Sequence, residues 1–203
     1  MKEIYIIRHG QTEYNALKII QGSGVDSELN DVGRGQAQAF YKKYKEIPFE
    51  IALVSTLKRT YQTAQPFIDN GLPFEKFAEI NEMNWGIHEG KKGTAQLRID
   101  YVEMINQWQS GNYDHKLEDA ESAADLGNRL KKFVAYLKER PEKTILICSH
   151  GRAMRCLMAV LQEQEYSEME QYNHHNTGLY KMIFDGEKFT FLTINDVSHL
   201  PEN

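Results

Sequence analysis

Residues 4–11 read Ile4-Tyr5-Ile6-Ile7-Arg8-His9-Gly10-Gln11, and the fold of the whole chain turns on this stretch. Four apolar residues in a row read as a buried strand, which then runs out into a loop through an arginine, a histidine and a glycine. Loops at the carboxyl ends of strands are where open α/β proteins hold their ligands. A guanidinium suits planar, bidentate recognition of phosphate or carboxylate, and a glycine lets backbone approach a ligand closely. Taken alone, His9 is read just as readily as the cap of a strand. The other strand ends decide.

A second run, Ile145-Leu146-Ile147-Cys148-Ser149-His150-Gly151, closes in the same way: apolar strand, histidine, glycine. Two such ends in one parallel sheet would bring His9 and His150 to the same edge. Strand-like runs also occupy residues 51–54 and 74–77, and helical patterns separate most of them. Gly33, Ala37, Phe40, Tyr44 and Ile47 lie on one helical stripe, which Pro48 ends. Ser55 or Thr56 can cap a helix through Thr63, kinked at Pro66, with Arg59 in its first turn. Leu97, Tyr101, Met104, Ile105 and Trp108 mark a helix over residues 94–109, stopped at Gly111. Ser122-Ala123-Ala124-Asp125 resembles a capping box and opens a helix whose stripe is Leu126, Leu130, Phe133 and Leu137. Residues 179–184 and 189–194, joined by Asp185-Gly186-Glu187-Lys188, read as a hairpin. The expected architecture is a three-layer α/β/α fold, its central sheet mostly parallel with an antiparallel hairpin at one edge. Residues 80–93 and 110–121 are the least regular, as binding segments and lids often are.

With 203 residues and 41% apolar composition the chain can bury one core. Its 24 basic and 29 acidic residues give a net charge of −5, which argues against bulk electrostatic binding of nucleic acid. Any anion site must be local. No apolar run approaches a membrane span, and the first one stops after four residues, too soon for a signal peptide. Cys148 and Cys156 make neither a disulfide framework nor a metal pair, so they are read as buried thiols in a reducing, cytoplasmic setting.

Two further residues join the histidines. Arg59 follows the second strand at a helix start, where free N–H groups and the helix dipole already attract phosphate. Alone it would be read as a solvated charge. Glu82 lies in the irregular stretch after the third strand, either as an exposed acid or as a general acid beside a bound phosphate dianion.

In this order the pieces resemble the histidine phosphatase superfamily, in its phosphoglycerate mutase-like branch. The resemblance runs through Arg8 to Thr12, Asn15, Gln21-Gly22, residues 29–33, Ser55 to Thr63 around Arg59, Glu82 to Gly90, Ser149-His150-Gly151 and the closing Asn195-Asp196-Val197-Ser198-His199-Leu200. It implies a phosphoglycerate mutase-like fold in one domain over residues 1–203, with a helical cap inserted at about residues 83–121. It further implies that His9 is a nucleophile forming a phosphohistidine, that Arg8, Arg59 and His150 bind the phosphoryl group, and that Glu82 donates and accepts the proton. Gly10, Asn15, Gln21, Gly22 and Gly151 would line the phosphate or substrate pocket. Such a cycle needs no metal and no organic cofactor, and neighbouring arginines would keep His9 neutral for attack.

The family divides between phosphatases, which pass the phosphoryl group to water, and mutases, which pass it to another hydroxyl. Mutases typically carry a tryptophan followed by two arginines in an insertion; the comparable stretch here reads Asn106-Gln107-Trp108-Gln109-Ser110, which favours a phosphatase. Lys91, Lys92 and Arg98 are read as solvated, or else as grips on a second anionic group. Arg152, where a small residue is usual, would either enlarge the positive field or face outward. The expected substrate is a small phosphorylated metabolite, with neither nucleic acid nor membrane as partner, and the protein a monomer or homodimer. Two readings from other classes compete: a pseudoenzyme that only recognises phosphorylated partners, and a metalloprotein built on the adjacent His174-His175, which lacks the ligand spacing of a zinc site.

Overall fold

A computed structural model describes residues 1–201. Its six strands are β1 (Lys2–Arg8), β2 (Ile51–Ser55), β3 (Phe74–Phe77), β4 (Thr144–Ser149), β5 (Leu179–Phe184) and β6 (Phe189–Asp196). They form one sheet in the order β3-β2-β4-β1-β5-β6. The β3–β2, β2–β4 and β4–β1 pairs are parallel, while β5 runs antiparallel to both β1 and β6. The expected parallel sheet with an edge hairpin is therefore what forms.

The helices are α1 (Glu13–Ala16), α2 (Asp31–Tyr44), α3 (Lys58–Ile68), α4 (Ala95–Gln109), α5 (Ala123–Glu139) and α6 (Gly151–Leu161). Strand side chains alternate between the two faces. Ile4, Ile6, Leu53, Ile145 and Ile147 pack with Leu126, Leu130 and Phe133 of α5 and Met154 and Leu157 of α6. Tyr5, Ile7, Val54, Leu146 and Cys148 pack with Phe40 of α2 and Ala64 and Phe67 of α3. Being covered on both sides, the central strands read as unbroken apolar runs. Cys148 and Cys156 are both buried and unpaired. Among the described residues, no helix is long and apolar enough to cross a membrane.

Several local expectations shift. Helix α2 ends at Tyr44, and Ile47 lies in the turn beyond it, where its N–H donates to Tyr44 O at 3.0 Å ahead of Pro48. Neither Ser55 nor Thr56 caps α3: Leu57 occupies that position without a side-chain bond. Ser55 is the last residue of β2 and fully buried, and its hydroxyl is engaged elsewhere. The helix runs through Pro66 to Ile68, because a proline this close to the end removes one of its last bonds only. Thr94 caps α4, and Met104 and Trp108 alone of its stripe are fully buried. The Ser122–Asp125 capping box is present.

Candidate active site

Parallel pairing sets the site. Arg8 and Ser149 are register partners at the ends of β1 and β4, so His9 and His150 leave the sheet side by side. Their ring centroids lie 5.1 Å apart. From β2 the chain turns into α3, whose second residue, Arg59, reaches the same edge. Glu82 arrives from the segment after β3 and meets the N-terminus of α6.

His9 is buried, and its Nδ1 lies 2.7 Å from the Gly10 carbonyl oxygen. A carbonyl only accepts, so Nδ1 carries the proton and Nε2 keeps its lone pair. Burial first, then the charges of Arg59 and Arg8, hold the imidazole well below its ordinary value of 6.5. His9 is neutral at physiological pH, as expected, though burial outweighs the arginines.

His150 is fully buried and accepts from Arg59 Nε at Nδ1, 3.1 Å away. Its own proton therefore sits on Nε2 and donates to Ser55 Oγ at 2.7 Å. Ser55 Oγ in turn lies 2.9 Å from Thr60 Oγ1, which donates to Leu57 O. Burial, then Arg59, also hold His150 well below 6.5. With both ring nitrogens engaged, His150 orients Arg59 rather than offering a free N–H.

Arg59 is itself fully buried; Nη1 donates to Val25 O at 2.6 Å and Nη2 to Gly22 O at 3.2 Å. With Nε on His150, three of the guanidinium's N–H groups are used, which leaves one on each Nη for a ligand. Burial lowers its pKa to about 10, opposed by Glu82 and Asp26, so it stays charged. Arg8 makes one long bond, Nη1 to His174 O at 3.5 Å, and its Nε is buried without a partner. An orphaned buried donor costs about 1–3 kcal/mol, which an incoming anion would recover.

Glu82 Oε1 accepts from Met83 N and Ala153 N, both at 2.9 Å, and Oε2 accepts from Arg152 N at 3.1 Å. The free N–H groups opening α6 hold the carboxylate. Oε1 accepts two hydrogen bonds, whereas Oε2 accepts one and keeps a lone pair.

The expected pocket residues divide by task. Gly10 N donates to Thr63 Oγ1 at 2.9 Å, and a Cβ on Gly10 would stand 2.6 Å from Gly33 O. That backbone approach requires glycine at position 10, whereas the carbonyl that fixes the His9 tautomer could come from any residue there. Asn15 Oδ1 closes the capping box of α1 by accepting from Thr12 N at 3.1 Å. Gln21 is engaged at both ends, donating to Thr12 Oγ1 and accepting from Ser27 Oγ, each at 2.7 Å. Gly22 supplies its carbonyl to Arg59, and a Cβ there would meet Glu89 at 2.0 Å and Met83 O at 2.5 Å. Gly151 lies against Glu82 Oε2 and Arg8, with room for a Cβ at 3.4 Å from the former.

Lys91, Lys92 and Arg98 are exposed. Arg152 follows neither expectation. It is buried beneath α4, paired with Glu170 and the Tyr101 hydroxyl, and its guanidinium lies 5.6–5.9 Å from the Trp85, Tyr101 and Trp108 rings. The His174-His175 pair is split: His174 Nε2 donates to Gly151 O at 2.6 Å, whereas His175 Nδ1 faces Asn195 Nδ2 at 3.0 Å.

Ser55, Thr63, Arg129 and Asn176 belong to the site's support; the sequence suggests Ser55 only as a helix cap, and none of the four as a site residue. Arg129 is the most telling: it donates to the carbonyls of Glu79, Asn81 and Glu82 at 2.6, 2.9 and 3.1 Å and pairs with Glu121 at 2.7 Å. A cation placed between Leu126 and Leu130 of an apolar stripe was the available signal.

Residues 4–197 match the histidine phosphatase superfamily (branch 1). A 2,3-bisphosphoglycerate-dependent phosphoglycerate mutase of Bartonella tribocorum is 31% identical over 170 residues, covering 79% of this chain and 82% of that protein. The crystal structure of phosphoserine phosphatase from Entamoeba histolytica, in complex with 3-phosphoglyceric acid, superposes with a TM-score of 0.85 at 28% identity, covering 99% of this chain and 100% of that one. The α-ribazole phosphatase of Shigella flexneri does so with a TM-score of 0.84 at 25% identity over 99% and 100% of the two chains.

Proposed function

The chain belongs to the histidine phosphatase superfamily, and on that footing we propose that it is a metal-independent phosphomonoesterase working through a phosphohistidine on His9. The observation that carries this reading is a neutral, buried His9 whose Nδ1–H is tied to Gly10 O, leaving an Nε2 lone pair among the charges of Arg8 and Arg59. Phosphoryl transfer asks for an in-line nucleophile and for positive or N–H groups around the equatorial oxygens. Arg8 Nε and the two remaining Arg59 N–H groups supply the second.

His9 Nε2 attacks phosphorus, the bond from phosphorus to the leaving oxygen breaks, and Glu82 Oε2 gives its proton to that oxygen. The leaving alcohol departs, and Nε2 bears the phosphoryl group. Glu82, now a carboxylate, takes a proton from a water molecule as its oxygen attacks phosphorus. The N–P bond breaks, inorganic phosphate leaves, and both groups return to their starting states. Residues 83–121 are the candidate cap that meets the leaving group; Trp85, and Tyr101 and Trp108 of α4, lie against Arg152, the second residue of α6 beside Glu82.

Water is the favoured acceptor. The arginine pair typical of mutases is replaced by Gln109-Ser110, and Trp108 is consumed in the core, its Nε1 donating to His115 O at 2.8 Å. Small phosphomonoesters are the class to try first, phosphoserine and 3-phosphoglycerate among them. The test is acid-quench labelling with a phosphatase substrate panel, with and without EDTA, beside a mutase assay with bisphosphoglycerate. Wild type gives an acid-labile phosphoenzyme, His9→Ala gives neither phosphoenzyme nor turnover, and EDTA changes nothing. Undiminished hydrolysis by His9→Ala would refute the assignment.

A further inference from the structure

The His9–Gly10 peptide is held from both sides. Its N–H donates to Thr63 Oγ1 at 2.9 Å, and its carbonyl, His9 O, accepts from Asn176 Nδ2 at 2.8 Å. One residue back, Arg8 O accepts from Thr177 N at 2.9 Å, and His9 N donates to Ser149 O at 2.9 Å. Asn176 and Thr177 come from the connection entering β5, which pairs with β1 only as far as Ile7 opposite Leu179. Where the strands stop pairing, these two residues take over the backbone of the Arg8-His9 pair.

That connection is strained and then tied down. Thr177 has φ +57, a left-handed conformation that a β-branched residue seldom adopts. Such strain persists only where the surroundings over-determine it, and it concentrates at functional sites. Here the Thr177 hydroxyl donates to Asn176 O at 2.8 Å and meets His199 Nε2 at 2.9 Å. Since the hydroxyl proton is spent on Asn176 O, His199 is the donor. Its ring stands edge-on to Phe40, centroids 5.2 Å apart, and so is anchored on α2. A second tie, His175 N to Asn195 Oδ1 at 3.0 Å, joins the same loop to the end of β6.

We propose that Asn176 and Thr177, braced by the closing segment through Asn195 and His199, are positioning residues that set the aim of the His9 imidazole. The proposal rests on the reading of His9 as nucleophile. Asn176 fixes the peptide plane that follows His9 and hence where the ring can point; its other bond, Nδ2 to Asn15 Oδ1, is long at 3.5 Å, and it touches no reacting atom. Misplacement of a nucleophile by about an ångström costs on the order of a hundredfold in rate.

The experiment compares wild type, Asn176→Ala, Thr177→Val and, as a control in the same loop, Asn173→Ala, whose side chain meets only Arg155. Phosphoenzyme formation is followed by rapid quench. Inhibition is measured with vanadate, which copies the five-coordinate transition state on Nε2, and with inorganic phosphate, which reports the anion pocket. Asn176→Ala should form phosphoenzyme about 10- to 100-fold more slowly. It should lose vanadate affinity by the same factor, while phosphate inhibition moves by less than about twofold. Thr177→Val should move the same way by less, and it carries the test alone if Asn176→Ala does not fold. Asn173→Ala should match wild type. Parallel loss of phosphate and vanadate affinity, or an unchanged rate of phosphoenzyme formation, overturns the proposal. A wild type that forms no phosphoenzyme refutes the nucleophile reading instead.

Discussion

Gly10 and Gly151 each follow a catalytic-edge histidine, yet they answer to different demands. Gly10→Ala drives a methyl to 2.6 Å from a backbone oxygen that cannot yield, so it should destabilise the fold by about 1–3 kcal/mol, measured by urea unfolding. Gly151→Ala meets nothing closer than Glu82 Oε2 at 3.4 Å and opens a helix, so thermal stability should hold while turnover falls, the methyl standing beside the oxygen proposed as proton donor. The buried histidines set a pH dependence whose sign follows from their depressed values. Above 6.5 His9 and His150 are neutral folded or unfolded. As pH falls below 6.5 the unfolded chain binds protons that the folded one refuses, and stability declines by about 1.4 kcal/mol per pH unit for each histidine. Urea midpoints should therefore drop between pH 7 and 5.5 while His9 in the surviving native protein stays neutral. The two histidines were legible at this scale because strand-His-Gly occurs twice. The direction of each proton was not, since it depends on Gly10 O, Arg59 Nε and Ser55 Oγ.

Helix α5 shows how one element serves both core and site. Its Leu126, Leu130, Phe133 and Leu137 bury a stripe that sequence periodicity reveals, and Ser122 with Asp125 caps it through bonds three residues apart. Arg129 on the same face grips the backbone of Glu79 to Glu82 across fifty residues of sequence. Arg129→Ala should cost about 2–3 kcal/mol in stability and lower kcat about tenfold by loosening Glu82, readable in melts and steady-state kinetics. Arg129→Lys should not rescue, since a point-charge ammonium cannot span three carbonyls and a carboxylate as a planar fork does. Local capping was legible in sequence; the empty cap of α3 was not, because Ser55 is drawn instead into a contact with a histidine 95 positions away.

Across the whole molecule the sheet order β3-β2-β4-β1-β5-β6 gathers residues from distant parts of the chain at one edge, where Arg8 keeps a buried Nε–H without a protein partner and Arg59 keeps one N–H on each Nη. Phosphate or vanadate should therefore raise the melting temperature. At a hundredfold excess over Kd the gain is about 2.7 kcal/mol, and Arg59→Ala should lose it. The sequence by itself determined the α/β architecture and the edge hairpin, and it put Arg8, His9 and His150 at strand ends of one sheet edge. Periodicity and strand endings are local, and they survive into the fold because the central strands are buried on both faces. Only the tertiary structure decided that His150 is turned toward Arg59 and Ser55, that Arg152 lies beneath α4, and that Asn176 and Thr177 hold the backbone of Arg8 and His9. Each of these is a hydrogen-bond or packing partnership between segments far apart in sequence, and no local pattern encodes which partner a buried polar group will find.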